Sequence, residues 1–346
     1  MPTEEARPAE PVGGPSRWRR GGAVVAGIAF VGGVILFGRS GRPAGQPVAG
    51  PATTTAPAPA AGSTTASPFS PGPSQPHGAV CGNQALLAGP VSPPPGAVIV
   101  SPGHDLQAAT VAAPTGTTFW LAPGTHTLGG DQFDQVVPKD GDTYIGAPGA
   151  VLDGRRVNRY AFTQHARNVT VRYLTITRFG PVGTNGNEGA VNHDSGPGWT
   201  VAFNTIEANA GAGVMVGDDN TVMSNCLSGN GEYGFSVFSP PGVHNVTITG
   251  NEIVGNNTDD WEARVAGCGC TGGGKFWDTT GAVVTSNWVH GNKGVGLFAD
   301  TDNVGLRIED NTIEGNDAEG IVYEISYNAR IAHNLLAGNA IAKGKQ

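Results

Sequence analysis

The chain has 346 residues, with 14% charged residues, 55 glycines, 26 prolines and a formal net charge of −8. This length fits one large domain or two ordinary ones, and glycine richness without a Gly-X-Y period indicates turn-dense all-β structure plus a low-complexity stretch. The acidic balance argues against a nucleic-acid-binding protein, which needs a basic face.

Residues 21–38 form the only stretch that looks membrane-embedded. They carry no charge and are rich in Val, Ala, Ile and Phe, with arginines before them and Arg39 directly after. About 18 apolar residues is near the lower limit for a spanning helix. We predict a single-pass signal anchor in the cell membrane, with residues 1–20 cytoplasmic and the C-terminal part extracellular. A cleaved signal peptide is the alternative, and both interpretations predict export.

A spacer follows the predicted span. Residues 39–79 are dominated by Pro, Ala, Thr, Ser and Gly, a composition that cannot bury a core, so we expect a disordered linker. The folded domain is then residues 80–346. Near its start, Asp105–Ala113 reads as a short amphipathic helix followed by a strand. We expect this helix to cap the first coil of a solenoid.

Four cysteines occur, at Cys81, Cys226, Cys268 and Cys270. An exported location permits disulfides, but the sequence leaves the three possible pairings open. A metal site built on Cys268 and Cys270 is a less favoured alternative.

A six-residue pattern, Asn-x-(Ile/Val/Leu)-x-(Gly/Ala)-Asn, occurs six times, and its start-to-start spacings are 21, 26, 36, 24 and 23 residues. The first asparagines of the six copies are Asn204, Asn225, Asn251, Asn287, Asn311 and Asn334. Each copy follows a short strand, so the pattern predicts stacked coils in which the asparagine amides bond along the stack. We expect the asparagines themselves to adopt the left-handed bend between strands. The apolar residue two positions later should point inward. The spacing of 36 predicts an insertion in one coil.

A second strand follows a glycine in most coils. The reference glycines are Gly189, Gly213, Gly234, Gly273, Gly294 and Gly320. Alternation along each strand then places the side chains two and four residues after each glycine outward, among them Val191, His193, Ser236 and Phe238. The next position is acidic in three coils, at Asp194, Asp218 and Asp278.

These features resemble the right-handed parallel β-helix superfamily of pectate lyases, polygalacturonases and alginate epimerases. The resemblance covers about residues 95–346 and is carried by the helix-then-strand entry, by the segment from Tyr144 to Gly154, and by the asparagine motifs. It implies an all-β, right-handed parallel β-helix whose site lies on the outer face of one sheet, flanked by long turns.

The catalytic motifs of these families are incomplete in this chain, so the resemblance transfers no catalytic residue. Asn192-His193-Asp194 lacks the proline and the leading aspartate of the epimerase motif. Asp218-Asp219 has no downstream Gly-His-Gly, which polygalacturonases carry.

The insertion between Asn256 and Gly281 is the strongest lead to a site, because long loops beside regular sheets concentrate function. Its two tryptophans suit stacking on sugar rings. This insertion and the outward-facing positions of the sheet together supply the candidate site residues. Those for catalysis are His193, Lys275, Asp278 and Glu324. Those for substrate binding are Trp261, Arg264, Trp277 and Phe298. Those for Ca²⁺, which prefers carboxylate oxygens, are Asp194, Asp218 and Asp219.

Two classes of function fit these residues. In the first, the chain is an extracellular enzyme acting on an acidic polysaccharide. A cation neutralises a uronate carboxylate and a base removes the neighbouring proton, giving a lyase or an epimerase. A glycoside hydrolase, which needs two flanking carboxylates, is less favoured. In the second, the same groove belongs to a non-catalytic glycan-binding or adhesion module at the cell surface.

Overall fold

A computed structural model describes residues 79–180, 189–264 and 271–341 of the chain. These residues form a parallel β-helix in which each coil contributes strands to the same sheets, which confirms the predicted fold. In the ranges just named, no helix is long and apolar enough to cross a membrane. The predicted cytoplasmic tail, the membrane span at 21–38 and nearly all of the linker lie outside the described residues.

Sheet A is the first sheet that the chain reaches in each coil, and it has ten strands. Every strand pairs parallel to its neighbours. The strands are Val98–Val100, Thr118–Leu121, Thr143–Gly146, Thr170–Arg172, Thr200–Ala202, Thr221–Met223, Thr247–Thr249, Val283–Thr285, Arg307–Glu309 and Arg330–Ala332.

Sheet B follows sheet A after one bend and has nine strands, which are also parallel. They are Gly124–Thr127, Ala150–Asp153, Thr175–Thr177, Thr205–Glu207, Cys226–Ser228, Glu252–Val254, Trp288–His290, Thr312–Glu314 and Leu335–Ala337.

Sheet C completes the coil with six parallel strands. They are Gly189–Val191, Ala212–Val216, Tyr233–Val237, Gly272–Phe276, Val295–Ala299 and Ile321–Tyr323. A two-stranded sheet, Val243–His244 with Thr279–Thr280, lies between sheets C and A along the chain.

The apolar position of the asparagine motif lies in the core, as predicted. Ile206, Leu227, Ile253, Val289 and Ile313 are all fully buried. In the last coil the equivalent Leu336 is 50% exposed, because no described coil covers it. The repeat therefore fills the interior wherever a neighbouring coil is stacked on both sides.

The motif asparagines form two ladders, one at the bend between sheets A and B and one between sheets B and C. The amide of Asn204 donates to Oδ1 of Asn225 at 3.1 Å, and that of Asn225 donates to Asn251 at 3.0 Å. In the second ladder Asn230 donates to Asn256 at 3.0 Å. Each Oδ1 also accepts the backbone N–H of the asparagine one coil before. The ladders confirm the predicted stacking in register.

The left-handed bend is placed one residue earlier than predicted. Phe203 and Ser224, directly before Asn204 and Asn225, have φ of 58° and 52°. The corresponding bends before the second asparagines are mostly at glycine, as at Gly255. The expectation that the asparagines adopt this conformation is wrong. Their side chains instead satisfy backbone groups that the bend exposes, which is why the type of residue at the bend varies while asparagine does not.

The glycines of sheet C also form a column, beside the second asparagine ladder. A Cβ on Gly234 would lie 2.7 Å from Cγ2 of Ile253 and 2.9 Å from the carbonyl oxygen of Gly273. No side chain fits in this narrow space. The column consists of Gly213, Gly234, Gly273, Gly296 and Gly320.

Two of the six reference glycines were therefore wrong. Gly274 pairs with Leu297, so the counterpart of Gly273 is Gly296 and not Gly294. Gly189 pairs with Ala212, so it stands one residue before the column. Val191, expected to face outward, is buried in the core. Periodicity identified the strands, but only pairing fixes which of two nearby glycines occupies the column.

The predicted capping helix is present at Leu106–Ala112. Asp105 caps it, accepting the N–H of Ala108 at 3.0 Å, and Leu106 is buried in the main core. The helix thus supplies apolar side chains to the first coil. The other described helices are the short Gln84–Leu87 and Trp261–Arg264.

An N-terminal segment, residues 79–88, lies on the outer side of sheet B. A disulfide joins Cys81 to Cys226, which settles one pairing that the sequence left open. Glu252, 5% exposed, accepts the N–H groups of Val80 and Cys81 at 2.7 and 2.8 Å. Cys268 and Cys270 lie outside the described residues.

Candidate functional site

The outer face of sheet C and the turns that follow its strands carry most of the predicted site residues. Successive coils are spaced by about 4.8 Å, so position along the stack can be read as distance. The strand before His193 is the first of the sheet, and the strand before Trp277 is the fourth. These two side chains are therefore about 14 Å apart along the axis.

His193 lies in a cluster with two residues from the preceding coil. Its ring stacks on Tyr160 with a centroid distance of 3.7 Å and an interplanar angle of 16°. The backbone N–H of Gly189 points to its Nδ1 at 3.4 Å. Burial lowers the pKa of His193, Asp194 partly opposes this, and the positive charge of Arg159 lowers the pKa further. The imidazole is therefore neutral at neutral pH and able to accept a proton.

Arg159 provides the positive charge of this cluster. Its guanidinium carbon lies 5.7 Å from the centroid of the Tyr160 ring and 5.8 Å from that of Phe133. Phe133 is 53% exposed. Burial raises the pKa of Tyr160, so the phenol stays protonated. A cation, a phenol and a neutral imidazole thus lie together, which is the set of groups needed to bind a carboxylate and move a proton.

The carboxylate of Asp194, the residue after His193, already accepts hydrogen bonds from the protein. Its Oδ2 accepts the Thr163 hydroxyl and, at 2.6 Å, the backbone N–H of Gln164. Burial would raise the pKa of Asp194, but these hydrogen bonds outweigh it and hold the pKa below its usual range. Asp194 is therefore a fixed negative charge that orients the turn after His193.

Lys275 is paired rather than available. Its Nζ lies 3.0 Å from Oδ2 of Asp300 and 4.9 Å from the centroid of the Phe298 ring. Phe298 pairs with Lys275 in register and is only 5% exposed. Both side chains are on the outer side of sheet C, as predicted, but Phe298 is covered. The structure places them three or more coils from His193.

Glu324 is exposed and follows the last strand of sheet C. It lies five coils from His193, about 24 Å along the axis. The four predicted catalytic residues, His193, Lys275, Asp278 and Glu324, are therefore not brought together. The sequence placed them on one sheet, and their order in the chain already assigns them to different coils.

Trp277 lines a separate cleft with Phe238. The two rings have centroids 5.0 Å apart and are tilted by 32°. Trp277 is 41% exposed. The cleft has a volume of about 330 Å³, and its lining residues are Phe238, Ser239, Pro240, Pro241, Trp277, Asp278 and Asp302. An exposed aromatic surface beside carboxylates suits the apolar face and hydroxyl groups of a sugar ring.

The other predicted binding residues precede the strand of their coil. Trp261 begins a short helix, and its backbone N–H donates to Oδ1 of Asn257 at 2.9 Å. Arg264 ends this helix, and its side chain is outside the described part. Trp261 comes before the strand Gly272–Phe276 and Trp277 comes after it. The two tryptophans therefore lie on opposite sides of this strand along the chain.

The aspartates predicted to bind Ca²⁺ have separate structural roles. Asp218 Oδ1 accepts the backbone N–H of His244 at 2.7 Å and lies 3.1 Å from its Nδ1. Asp219 accepts the amide of Asn245 at 3.1 Å. Within residues 79–180, 189–264 and 271–341, no three His, Cys, Asp or Glu side chains are placed to hold a metal ion. The described aspartates thus stabilise turns between coils.

Sequence reasoning missed Phe133, Arg159, Tyr160 and Phe238. The first three lie in coils without the asparagine motif, so no repeat aligned them with sheet C. The signal in the sequence was weak. In the structure, an isolated parallel bridge joins Val136 to Phe162 and extends the stack of sheet C by two coils toward the N-terminus. Phe238 was placed on the outer face but was not connected to Trp277.

The sequence matches the protein-family model of the right-handed β-helix region over residues 158–269 and 190–344. These ranges together span more than half of the chain, so the protein belongs to the right-handed β-helix family. No curated protein matches the sequence.

Several solved structures are similar to this chain. The A-module of the Azotobacter vinelandii mannuronan C-5 epimerase AlgE4 is 16% identical, with 70% of this chain and 93% of that chain covered and a TM-score of 0.40. The pectate lyase Pel9A is 14% identical, with 66% and 78% covered and a TM-score of 0.40. The periplasmic alginate epimerase AlgG is 10% identical, with 64% and 69% covered and a TM-score of 0.42. At these identities the likeness concerns the fold alone.

Proposed function

We propose that the protein engages an acidic polysaccharide along the outer face of sheet C and acts on it as a lyase or an epimerase at His193. The observation that carries this proposal is the stack of His193 on Tyr160 beside Arg159. Here a neutral base and a cation lie beside the turn that follows the first strand of sheet C.

The proposed reaction starts with a uronate ring whose carboxylate is bound by Arg159. The unprotonated ring nitrogen of His193 takes the proton from the carbon next to that carboxylate. In elimination, the bond to the glycosidic oxygen breaks, a carbon–carbon double bond forms, and the imidazolium returns its proton to the leaving oxygen. In epimerisation, no carbon–oxygen bond breaks, water gives a proton to the same carbon from the opposite face, and the imidazolium proton neutralises the hydroxide that remains. Tyr160 positions the imidazole by stacking.

The test uses a panel of oligouronates in deuterated water. We expect formation of unsaturated product or incorporation of deuterium at the carbon next to the carboxylate. His193→Ala should reduce either signal by about 100-fold or more, the range for loss of a general base. His333→Ala is the matched control, because that histidine side chain is 70% exposed on the last coil. No signal and no binding with any oligouronate would contradict the proposal.

The second candidate is a non-catalytic glycan-binding module. It is favoured by the pairing of Lys275 with Asp300 and of Asp194 with Thr163, since a predicted catalytic residue and a predicted Ca²⁺ ligand already have partners. Binding of oligouronates without deuterium incorporation or cleavage in the experiment above would support this module and exclude the enzyme.

We also propose that residues 21–38 hold the protein at the membrane, with the β-helix outside the cell. The support is the uncharged apolar stretch with flanking arginines. The test is fractionation of cells that express the full chain, with protease added outside. Recovery of the chain in the membrane fraction, with the β-helix accessible to protease, is expected. Release of the whole domain into the medium would instead indicate a cleaved signal peptide.

A further inference from the structure

The cleft at Trp277 differs in charge from the cluster at His193. Asp278 and Asp302 are exposed residues of its lining, and the lining residues include no lysine, arginine or histidine. The amine of Lys275, two residues before Trp277, lies 3.0 Å from Oδ2 of Asp300. A carboxylate bound in this cleft would face two negative charges without a cation to neutralise it.

The same carboxylates suit an uncharged sugar. Ionised aspartates accept hydrogen bonds only, and sugar hydroxyls are donors. The exposed face of Trp277, backed by Phe238 at 5.0 Å, offers a surface on which the C–H groups of a pyranose ring pack. Pro240 and Pro241 form part of the wall beside this surface. The cleft volume of about 330 Å³ lies at the lower end of the range for small-ligand sites.

One wall of the cleft contacts the turn of the proposed active site. The hydroxyl of Ser195, two residues after His193, donates to the carbonyl oxygen of Phe238 at 2.9 Å. Between them lies Gly217, where a Cβ would meet the carbonyl oxygen of Ser195 at 2.0 Å. The turn that carries His193 therefore contacts the wall of the cleft at Phe238 directly.

We propose that the Trp277 cleft is a subsite for an uncharged pyranose ring of the same polysaccharide whose uronate binds at His193. This inference rests on the proposed function for the position of the uronate. The separation of three coils, about 14 Å, corresponds to roughly three sugar rings. The substrate is then a heteropolysaccharide that alternates or mixes uronate and neutral sugars, rather than a pure polyuronate.

The experiment measures binding by the full chain with isothermal titration calorimetry. The probes are neutral gluco-, galacto- and xylo-oligosaccharides of four to six rings and oligouronates of the same lengths. We expect at least one neutral series to bind, and Trp277→Ala to weaken that binding by tenfold or more. Tyr327→Ala is the matched control, since Tyr327 is 57% exposed on the last coil and does not line the cleft.

Two further variants separate this inference from the proposed function. His193→Ala should leave neutral binding unchanged, even if turnover of uronates is never observed. The double variant Asp278→Asn with Asp302→Asn should remove the negative charge and allow oligouronates to bind at Trp277. The inference would be overturned if no neutral series binds, or if Trp277→Ala weakens oligouronate binding as much as neutral binding.

Discussion

At the corners of the β-helix the same residue recurs in every coil from Asn204 to Asn339, whereas the outer face of sheet C changes its side chain at nearly every step. Met215, Ser236, Lys275 and Phe298 occupy one outward position in four successive coils. The corners must satisfy backbone groups in the same way each time. The outer face has no such requirement, so its residues differ from coil to coil, although Met215, Ser236 and Phe298 are buried there.

This comparison predicts that corner residues control stability and outer-face residues control function. Asn225→Ala should have the largest effect. It removes the acceptor for the backbone N–H of Asn204 and the donor to the carbonyl oxygen of Val201. Both groups are buried, so we expect a loss of about 3 kcal/mol in the free energy of unfolding.

The matched control is Asn339→Ala, in the last described rung of the second ladder. It breaks the equivalent bonds to Asn316 and Ile313, but water can replace them, so the loss should be about 1 kcal/mol. Urea denaturation of both variants measures the difference. Equal losses would show that the ladder stabilises each corner locally, independent of burial.

Gly234→Ala should have the next largest effect. The added methyl group would lie 2.7 Å from Ile253 and 2.9 Å from the carbonyl oxygen of Gly273. Overpacking of this kind costs about 2 kcal/mol. Gly130→Ala is the control, because nothing lies within 4 Å of a Cβ there. A similar thermal midpoint for the two variants would mean that neighbouring coils can move apart without cost.

The smallest effect on stability is expected for the charges around His193, which act mainly on the pKa of its imidazole. Arg159→Gln removes a positive charge that lowers the pKa of His193, so this pKa should rise. Asp194→Asn removes a negative charge that raises it, so the pKa should fall. Titration of the imidazole by NMR checks both directions.

The acid limb of any activity should follow the same directions, since the neutral imidazole is the active form. Arg159→Gln should move this limb to higher pH, and Asp194→Asn should move it to lower pH. Shifts of the same sign in the two variants would mean that His193 responds to a change in the turn rather than to charge.

The periodic part of the fold was predictable because it is local and repeated. Within six residues, Asn251 marks one corner, Ile253 is the inward side chain, and Asn256 marks the next corner. Six copies fixed the coil length and the parallel stacking. The capping helix was predictable for the same reason, since Asp105 and the apolar residues after it form a self-contained signal.

The site was only partly predictable. His193 and Trp277 were named from their place on the outer face, and the structure places them three coils apart along the stack. Tyr160 and Arg159 were missed, because their coil lacks the asparagine motif that aligned the others. Lys275 was named as active, but its pairing with Asp300 depends on a residue one coil further along.

The sequence by itself determined the stacking direction, the corner ladders and the inward apolar positions, because each depends on residues close together in the chain and repeated in every coil. Only the tertiary structure decided which glycines form a column, that Cys81 joins Cys226, and that Tyr160 lies on His193. These contacts join residues from different coils. Their partners are set by the lengths of the intervening turns, which vary and follow no period.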